Sequence, residues 1–314
     1  MSLLIPSSVE SLENIKNHIV RTPLLFSERL SNEINSNIFL KLENLQKTGS
    51  FKARGALNKI LNIKNTKNVV AASSGNHGAA VSYALSQKKM IGTIYVPKNV
   101  KKSKVKNIES YGSKVIKFGT DCLDAENEAI RVSEEYDFNF VSPYNDLDII
   151  SGQGTIGVEI LDDNNDIDIV FITVGGGGLV SGVASHLKSR NPNIQVIGCS
   201  PINSSIMINS LKEGKIVNSE SKDTLSDGSA GGVEEGSITF DMCNQLIDDY
   251  CLVSENEIAL QIKNSLNMDK MIIEGSAAVA IASAIKMKSQ LHHKNVAIVI
   301  CGGNIGKDTL NKIL

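Results

Sequence analysis

Three groups of residues in this chain have the types and spacing to do chemistry. They are a lysine where a helix should begin, a Ser-Ser-Gly-Asn-His-Gly loop, and four consecutive glycines behind a β-branched run. The lysine is Lys52. An apolar, strand-like run at residues 38–42 leads into a polar turn ending at Gly49, and mostly good helix formers follow, which predicts that Lys52 opens a helix. A helix N-terminus carries partial positive charge, so it disfavours an ammonium and favours a neutral amine or a nearby anion. A neutral amine is what Schiff-base chemistry needs. The competing reading of any lysine is a solvated surface charge, and the company Lys52 keeps argues against it.

Residues 167–174 form a β-branched run that delivers Gly175, Gly176, Gly177 and Gly178 to an apolar helix opening near Leu179. Glycines at such a place let backbone N–H groups approach an anion closely, with the helix N-terminus adding a favourable field, which describes a phosphate cup. Tight strand-to-helix packing is the competing reading. Ser73, Ser74, Gly75, Asn76, His77 and Gly78 follow a short buried run and open another helix, offering hydroxyls, an amide and backbone N–H groups suited to a carboxylate. Its competitor is an ordinary turn with an Asn-His cap. A literal G-x-G-x-x-G at Gly152, Gly154 and Gly157 raises a dinucleotide-binding oxidoreductase as a rival, but polar residues 144–148 precede it where that fingerprint requires an apolar strand.

Four motifs together, Ser50-Phe51-Lys52-Ala53-Arg54-Gly55-Ala56, Ser73-Ser74-Gly75-Asn76-His77-Gly78, Gly175-Gly176-Gly177-Gly178-Leu179 and Cys301-Gly302-Gly303-Asn304, carry a resemblance to the fold-type II pyridoxal-phosphate enzymes. Within these the chain resembles the serine/threonine dehydratase and serine racemase family, from about Thr22 onward. The resemblance implies pyridoxal 5'-phosphate joined to Lys52, its phosphate on Gly175 to Gly178 and Leu179, and further cofactor contacts from Phe51, Asn76, Glu274 and Cys301. It implies substrate contacts from Ser73, Ser74, Asn76 and His77, with Ser74 at the position where racemases of the family exchange a proton opposite the lysine. At Cys301 the family commonly has serine against the pyridine nitrogen; the thiol is a weaker partner, and with no carboxylate there an unprotonated ring nitrogen suits β-elimination better than transamination. Two readings stand for Cys301, ring partner or small buried residue, and two for Glu274, cofactor neighbour or helix cap. Residues 224–228 resemble a further wall of the site or form an ordinary turn, and residues 231–236 depart from the racemase pattern.

These residues need elements to hold them. Strand-like runs at 69–72, 91–96, 114–118 and 138–141 alternate with helices starting near Asn76, Lys101 and Asp121, and a second series follows at 167–174, 195–199, 250–253 and 296–300. Such alternation predicts an α/β fold with mainly parallel sheets flanked by helices. The resemblance implies two open twisted sheets, a large domain of residues 1–67 and 146–314 with a small domain of 68–145 inserted in it, and the cofactor in the cleft between domains. The turn-rich Ser142-Pro143-Tyr144-Asn145-Asp146 reads as a crossing point.

The 314 residues suffice for a sizeable core, and 32 basic against 34 acidic side chains give no electrostatic case for a nucleic-acid or membrane partner. The isolated basic tract 98–106 reads as the solvated start of a helix. The uncharged stretch 169–185 reads as buried strand, turn and helix, because its four glycines make a poor spanning helix. Five scattered cysteines without a C-x-x-C pair fit a reducing cytoplasm, and Met1 to Lys16 lacks a signal peptide's pattern, Ser7-x-x-Glu10 reading instead as a capping box. With the last motif at Cys301 and the sequence ending at Leu314, no C-terminal regulatory domain is expected. The resemblance implies a homodimer.

The activity expected is β-elimination from L-threonine or L-serine, giving a 2-oxo acid and ammonia. The alternatives are a racemase or a 3-hydroxyaspartate-type dehydratase on the same scaffold, and, more remotely, a catalytically silent binding protein. No metal is expected. The family's metal-dependent members place two carboxylates and a backbone carbonyl at positions that fall here on Ser200, Ser204 and Ile206, a poor set for a hard dication.

Overall fold

The structure, a computed structural model, describes residues 7–65 and 67–314. Its strands are β1 Leu24–Phe26, β2 Asn37–Lys41, β3 Val69–Ala72, β4 Gly92–Val96, β5 Lys114–Lys117, β6 Asn139–Phe140, β7 Ile169–Thr173, β8 Gln195–Pro201, β9 Asp249–Val253 and β10 Asn295–Val299. The described residues fall into two compact units. One comprises the chain up to Ile19 together with Lys52–Gly152, the other Val20–Phe51 together with Gln153–Leu314.

The first unit holds a four-stranded sheet in the order β5-β4-β3-β6, all parallel. Val69, Val70 and Ala71 of β3 are all buried, the continuous burial expected of a parallel strand covered on both faces. The helix Asn76–Lys88 starts four residues beyond β3, and its Ala80, Val81 and Ala84 join Leu57 and Ile60 of the helix Lys52–Asn62 in one core cluster. At roughly 1.5–3 kcal/mol for each large aliphatic side chain buried, this cluster anchors the helix that Lys52 opens. The basic tract lies at the exposed start of the helix Lys102–Glu109. At the N-terminus the Ser7 hydroxyl accepts the Glu10 N–H and caps the helix Ser8–Ile15, whereas residues 1–6, part of the stretch read for a signal peptide, lie outside the described residues.

The second unit holds a six-stranded sheet, β1-β2-β10-β7-β8-β9, parallel except for β1, which pairs antiparallel with β2 at the edge. All five residues of β7 are buried, with the helices Gly178–Arg190 and Gly275–Lys286 packed on it. The latter is apolar around most of its circumference and buried from Gly275 to Ala284, the mark of a core helix. Strand β2 carries Lys41 with no exposed surface. Its Nζ donates to Glu159 and to the Thr22 carbonyl, both at 2.6 Å, and a buried ammonium without such partners would be strongly destabilising.

The family resemblance also covers Gly152-Gln153-Gly154-Thr155, as a helix start without a nucleotide, and that expectation needs correction. Gly152 to Thr155 do not start a helix: the helix runs Leu147–Asp163, opened by Asp146, whose Oδ1 accepts the N–H groups of Asp148 and Ile149. The G-x-G-x-x-G glycines therefore lie in a helix interior, where close approach explains Gly152 and Gly157. A Cβ on Gly152 would stand 2.6 Å from the Gly55 Cα, and one on Gly157 would stand 3.0 Å from the Val183 carbonyl oxygen. A backbone closed by helical hydrogen bonds has no free N–H groups for a pyrophosphate.

Candidate active site

In the first unit Lys52 is the first residue of its helix and is partly buried. Its Nζ donates to the Pro143 carbonyl at 2.7 Å. The turn that supplies this carbonyl is shaped by Ser142, whose Oγ accepts the N–H groups of Tyr144 and Asn145. One residue earlier, the Val141 carbonyl lies 2.9 Å from His77 Nε2. A carbonyl only accepts, so Nε2 carries the ring proton and Nδ1 the lone pair. Burial, and after it the positive charge of Lys52, push the His77 pKa down to about 3, against the upward pull of the Val141 bond. The ring is therefore neutral at working pH and offers no cation to a carboxylate.

The Ser73–Gly78 loop provides for an anion in another way. The first intrahelical bond of Asn76–Lys88 is Ala79 N–H to the Gly75 carbonyl, so the His77 and Gly78 N–H groups have no helical acceptor and lie at the loop. Ser73 shapes the bend by accepting the Gly75 N–H at 3.1 Å. Gly78 is required, since a Cβ there would stand 2.2 Å from the Ser73 carbonyl oxygen. Ser73, Ser74 and Asn76 are half-buried, and the His77 side chain is committed to Val141. What His77 can give an anion is its backbone N–H.

In the second unit the residues leading to Lys52 are laced to the end of β10. The Phe51 N–H donates to the Cys301 carbonyl at 3.0 Å, Ser50 bridges Gly302, and the Gly303 N–H donates to the Gly49 carbonyl at 2.9 Å. Asn304 spans the same turn, its Nδ2 donating to the Thr48 carbonyl, while a Cβ on Gly49 (φ +72°) would stand 2.6 Å from its Oδ1. Glu274 is buried at the N-cap position of Gly275–Lys286, yet its side chain does not cap that helix. Its Oε2 accepts the Asn304 N–H at 3.2 Å, and the carboxylate lies where a Gly302 side chain would be. Cys301 is 2% exposed, so its thiol is enclosed at the strand end. The Ser50 hydroxyl is buried without a hydrogen-bond partner among the described residues.

The glycine tetrad turns between β7 and the helix Gly178–Arg190, with Gly177 left-handed at φ +88°. The first bond of that helix is Ser181 N–H to the Gly177 carbonyl, which leaves the N–H groups before it for an anion. The loop is walled on other sides by a turn that overlaps residues 224–228, read from the sequence as a further wall or an ordinary turn, and by Ser229, Ser276 and Thr239, which the sequence did not single out. A Cβ on Gly175 would meet the Ser229 carbonyl oxygen at 2.8 Å, and Ser229 and Ser276 both hydrogen-bond the Ser226 hydroxyl. Residues 226–229 are thus a turn held by hydroxyls, with Asp227 exposed on it. Thr239 donates to the Gly176 carbonyl at 2.6 Å. Scattered Ser and Thr residues give no sequence signal of this kind. The positions read against metal binding have partners of their own: the Ser200 hydroxyl donates to the Val174 carbonyl, the Ser204 hydroxyl bonds Ser221, and Ile206 is buried.

The residues fit pyridoxal phosphate. Each unit by itself offers groups that suit a phosphorylated aldehyde: the first an amine at a helix start, the second a glycine cradle that side chains would fill, N–H groups at the start of the helix Gly178–Arg190 and an orphaned buried Ser50 hydroxyl beside Phe51. Comparison with known proteins agrees. The chain is 41% identical over 308 residues to the L-threonine ammonia-lyase of Thermotoga maritima, covering 97% of this chain and 76% of that one. It is 35% identical to the catabolic L-threonine dehydratase TdcB of Escherichia coli K12, covering 100% of this chain and 96% of that one. The structure of maize serine racemase superposes with a TM-score of 0.92 at 32% identity, covering 98% and 95% of the two chains. The family model described as pyridoxal-phosphate dependent enzyme matches residues 15–302, and the chain belongs to that family.

Proposed function

We propose that this enzyme eliminates the β-hydroxyl of L-threonine and L-serine and releases a 2-oxo acid and ammonia. The observation that carries the reading is the placement of Lys52, first in its helix with Nζ on the Pro143 carbonyl, in a chain alike over nearly its whole length to threonine ammonia-lyases. Lys52 would hold the cofactor, the N–H groups of the Gly175 to Leu179 loop its phosphate, Asn76 its phenolic oxygen and Cys301 its ring nitrogen, with Phe51 and Glu274 beside it. Bound there, pyridoxal phosphate supplies the electron sink that makes the substrate α-proton acidic.

The chain's residues do the rest. Ser73, Ser74 and the first N–H groups of Asn76–Lys88 hold the substrate carboxylate, His77 contributing through its backbone. Lys52 Nζ, freed by the incoming amino group, takes the α-proton. The β-hydroxyl leaves with a proton as water, and the enamine released becomes an imine that water converts to 2-oxo acid and ammonia. The Pro143 carbonyl gives the Lys52 ammonium a hydrogen-bond acceptor between these transfers. A second reading, racemisation, is favoured by Ser74 and by the likeness to maize serine racemase.

The test is a panel of L- and D-serine, L- and D-threonine and 3-hydroxyaspartate, assayed for 2-oxo acid, ammonia and inversion, with Lys52→Ala as the control. Elimination from the L-hydroxy amino acids that Lys52→Ala abolishes supports the reading. Turnover that survives in Lys52→Ala, or inversion without elimination, overturns it. Assembly as a homodimer is part of the same proposal. Leu25, Phe26, Leu45 and Ile272, each about half exposed, line a groove of about 750 Å³ in the second unit, more apolar side chain than a monomer's surface needs. Light scattering of the purified protein tests it. Residence in the cytoplasm is supported by five cysteines without a disulfide among the described residues, three of them at most 2% exposed.

A further inference from the structure

We infer that Ser237 and Thr239 form a hydroxyl relay that aims the glycine loop, making Thr239 a positioning residue for the phosphate group of the cofactor. The inference rests on the cofactor reading above. Thr239 is fully buried and its Oγ1 donates to the Gly176 carbonyl at 2.6 Å. That bond uses the only proton the Thr239 hydroxyl has. The 2.7 Å contact between Ser237 Oγ and Thr239 Oγ1 must therefore run from Ser237 as donor. Ser237 stands at the N-cap of the helix Ile238–Leu246, where serine ordinarily caps through its side chain, and here it makes no such cap. Its hydroxyl is turned to Thr239 instead.

The consequence for the loop follows from peptide geometry. In a trans peptide the C=O and the next N–H point in opposite directions. Holding the Gly176 carbonyl on Thr239 therefore turns the Gly177 N–H away from the helix Ile238–Leu246. The same helix blocks the alternative: a side chain on Gly177 would meet Thr239 Cβ at 3.0 Å and Cys243 Sγ at 2.9 Å, so the loop lies directly on it. Gly177, at φ +88°, is in a region open to glycine, and a glycine peptide without a fixed carbonyl has much freedom to rotate. Thr239 removes that freedom before the ligand arrives. A donor already aimed costs no reorganisation on binding, which is how preorganisation raises affinity.

The experiment titrates cofactor-free enzyme with pyridoxal phosphate and, separately, with pyridoxal, which has the aldehyde and ring but no phosphate. Thr239→Val keeps the shape and deletes the hydroxyl, Thr239→Ser keeps the hydroxyl, and Ser237→Ala removes the outer member of the relay. Thr239→Val is expected to weaken pyridoxal phosphate by about tenfold, the scale of one aimed hydrogen bond, and to leave pyridoxal unchanged. Thr239→Ser should bind both as the wild type does, and Ser237→Ala should lie between. Equal loss for both ligands in Thr239→Val would mean general damage to the fold and overturn the inference, as would unshifted binding of pyridoxal phosphate. If borohydride traps no pyridoxal phosphate on Lys52 in the wild type, the cofactor reading falls and this inference with it. Trapping in the wild type without a phosphate-specific loss in Thr239→Val sinks this inference alone.

Discussion

Replacing His77 with glutamine should flatten the acid side of the stability profile. Folding keeps the ring neutral, with its Nε2–H on the Val141 carbonyl, and the His77 pKa falls from 6.5 to about 3. In the unfolded chain the ring takes up a proton below about pH 6.5, whereas the folded form refuses it until about pH 3. The stabilisation is thus complete above the unfolded pKa and is lost as the pH falls through that window. One pH unit corresponds to about 1.4 kcal/mol, so the loss is about 2 kcal/mol at pH 5 and approaches about 5 kcal/mol near pH 3. Glutamine can donate its amide N–H to Val141 and does not titrate. Urea unfolding of the cofactor-free protein at pH 7.5, 6 and 5 measures the effect. The wild type should lose about 2 kcal/mol more than His77→Gln between the first and last of these. Parallel profiles for the two proteins would show that His77 is protonated in the folded state, and the neutral-ring argument would fail.

Three further outcomes are expected. Ser74→Ala should retain most elimination from L-substrates, because Lys52 takes the proton, and should lose any inversion; loss of elimination with cofactor still bound would contradict this. Excess chelator, followed by magnesium or calcium, should change neither activity nor thermal midpoint, since the Ser200 and Ser204 hydroxyls have protein partners and the Ile206 side chain has no ligand atom. Gly152→Ala should destabilise the protein by about 1–3 kcal/mol in urea unfolding, the usual cost of overpacking, because its Cβ would stand 2.6 Å from the Gly55 Cα. A neutral result there would return the G-x-G-x-x-G glycines to the ligand-binding candidates.

The sheets and loops were legible because each announces itself locally. The β7 residues are β-branched or aromatic, the glycines follow at once, and a helix pattern begins where they end. Lys52 was legible as a helix start for the same reason, from strand, Gly49 turn and helix formers in succession. The start at Leu147 was not, because its cap, Asp146, sits in a run of turn residues while the glycines further on draw the eye. Strand β1 spans three residues, too short for any alternation to show, and its register comes from pairing with β2. The hydroxyls of Ser226, Ser229, Ser276 and Thr239 were invisible for a different reason. A serine's sequence neighbours do not reveal which carbonyl it will meet, and Thr239 meets one 63 positions away.

That last difficulty explains where the site's rigidity comes from. Motifs name the groups that touch a ligand, but a glycine loop or a lysine on a flexible stem has no fixed aim of its own. Each reactive motif here is held by a polar group distant in sequence. Phe51, the residue before Lys52, gives its N–H to Cys301; Gly176 gives its carbonyl to Thr239; His77 gives its Nε2–H to Val141; and the Lys52 amine itself rests on Pro143. Three of these four bonds use a backbone carbonyl as acceptor for a motif residue, and carbonyls are present whatever the side chain. The fourth depends on a hydroxyl. Substitution therefore bears unequally on the four supports: Cys301, Val141 and Pro143 can change side chain and keep their acceptor, whereas Thr239 can be replaced only by serine without losing the bond. A library randomised at these four positions and selected for growth dependent on threonine deamination should accept serine at Cys301, which keeps both the carbonyl and a ring-nitrogen partner, and β-branched residues at Val141, while position 239 returns threonine and serine. Recovery of alanine or valine at 239 as often as serine would show that the glycine loop keeps its aim without the hydroxyl.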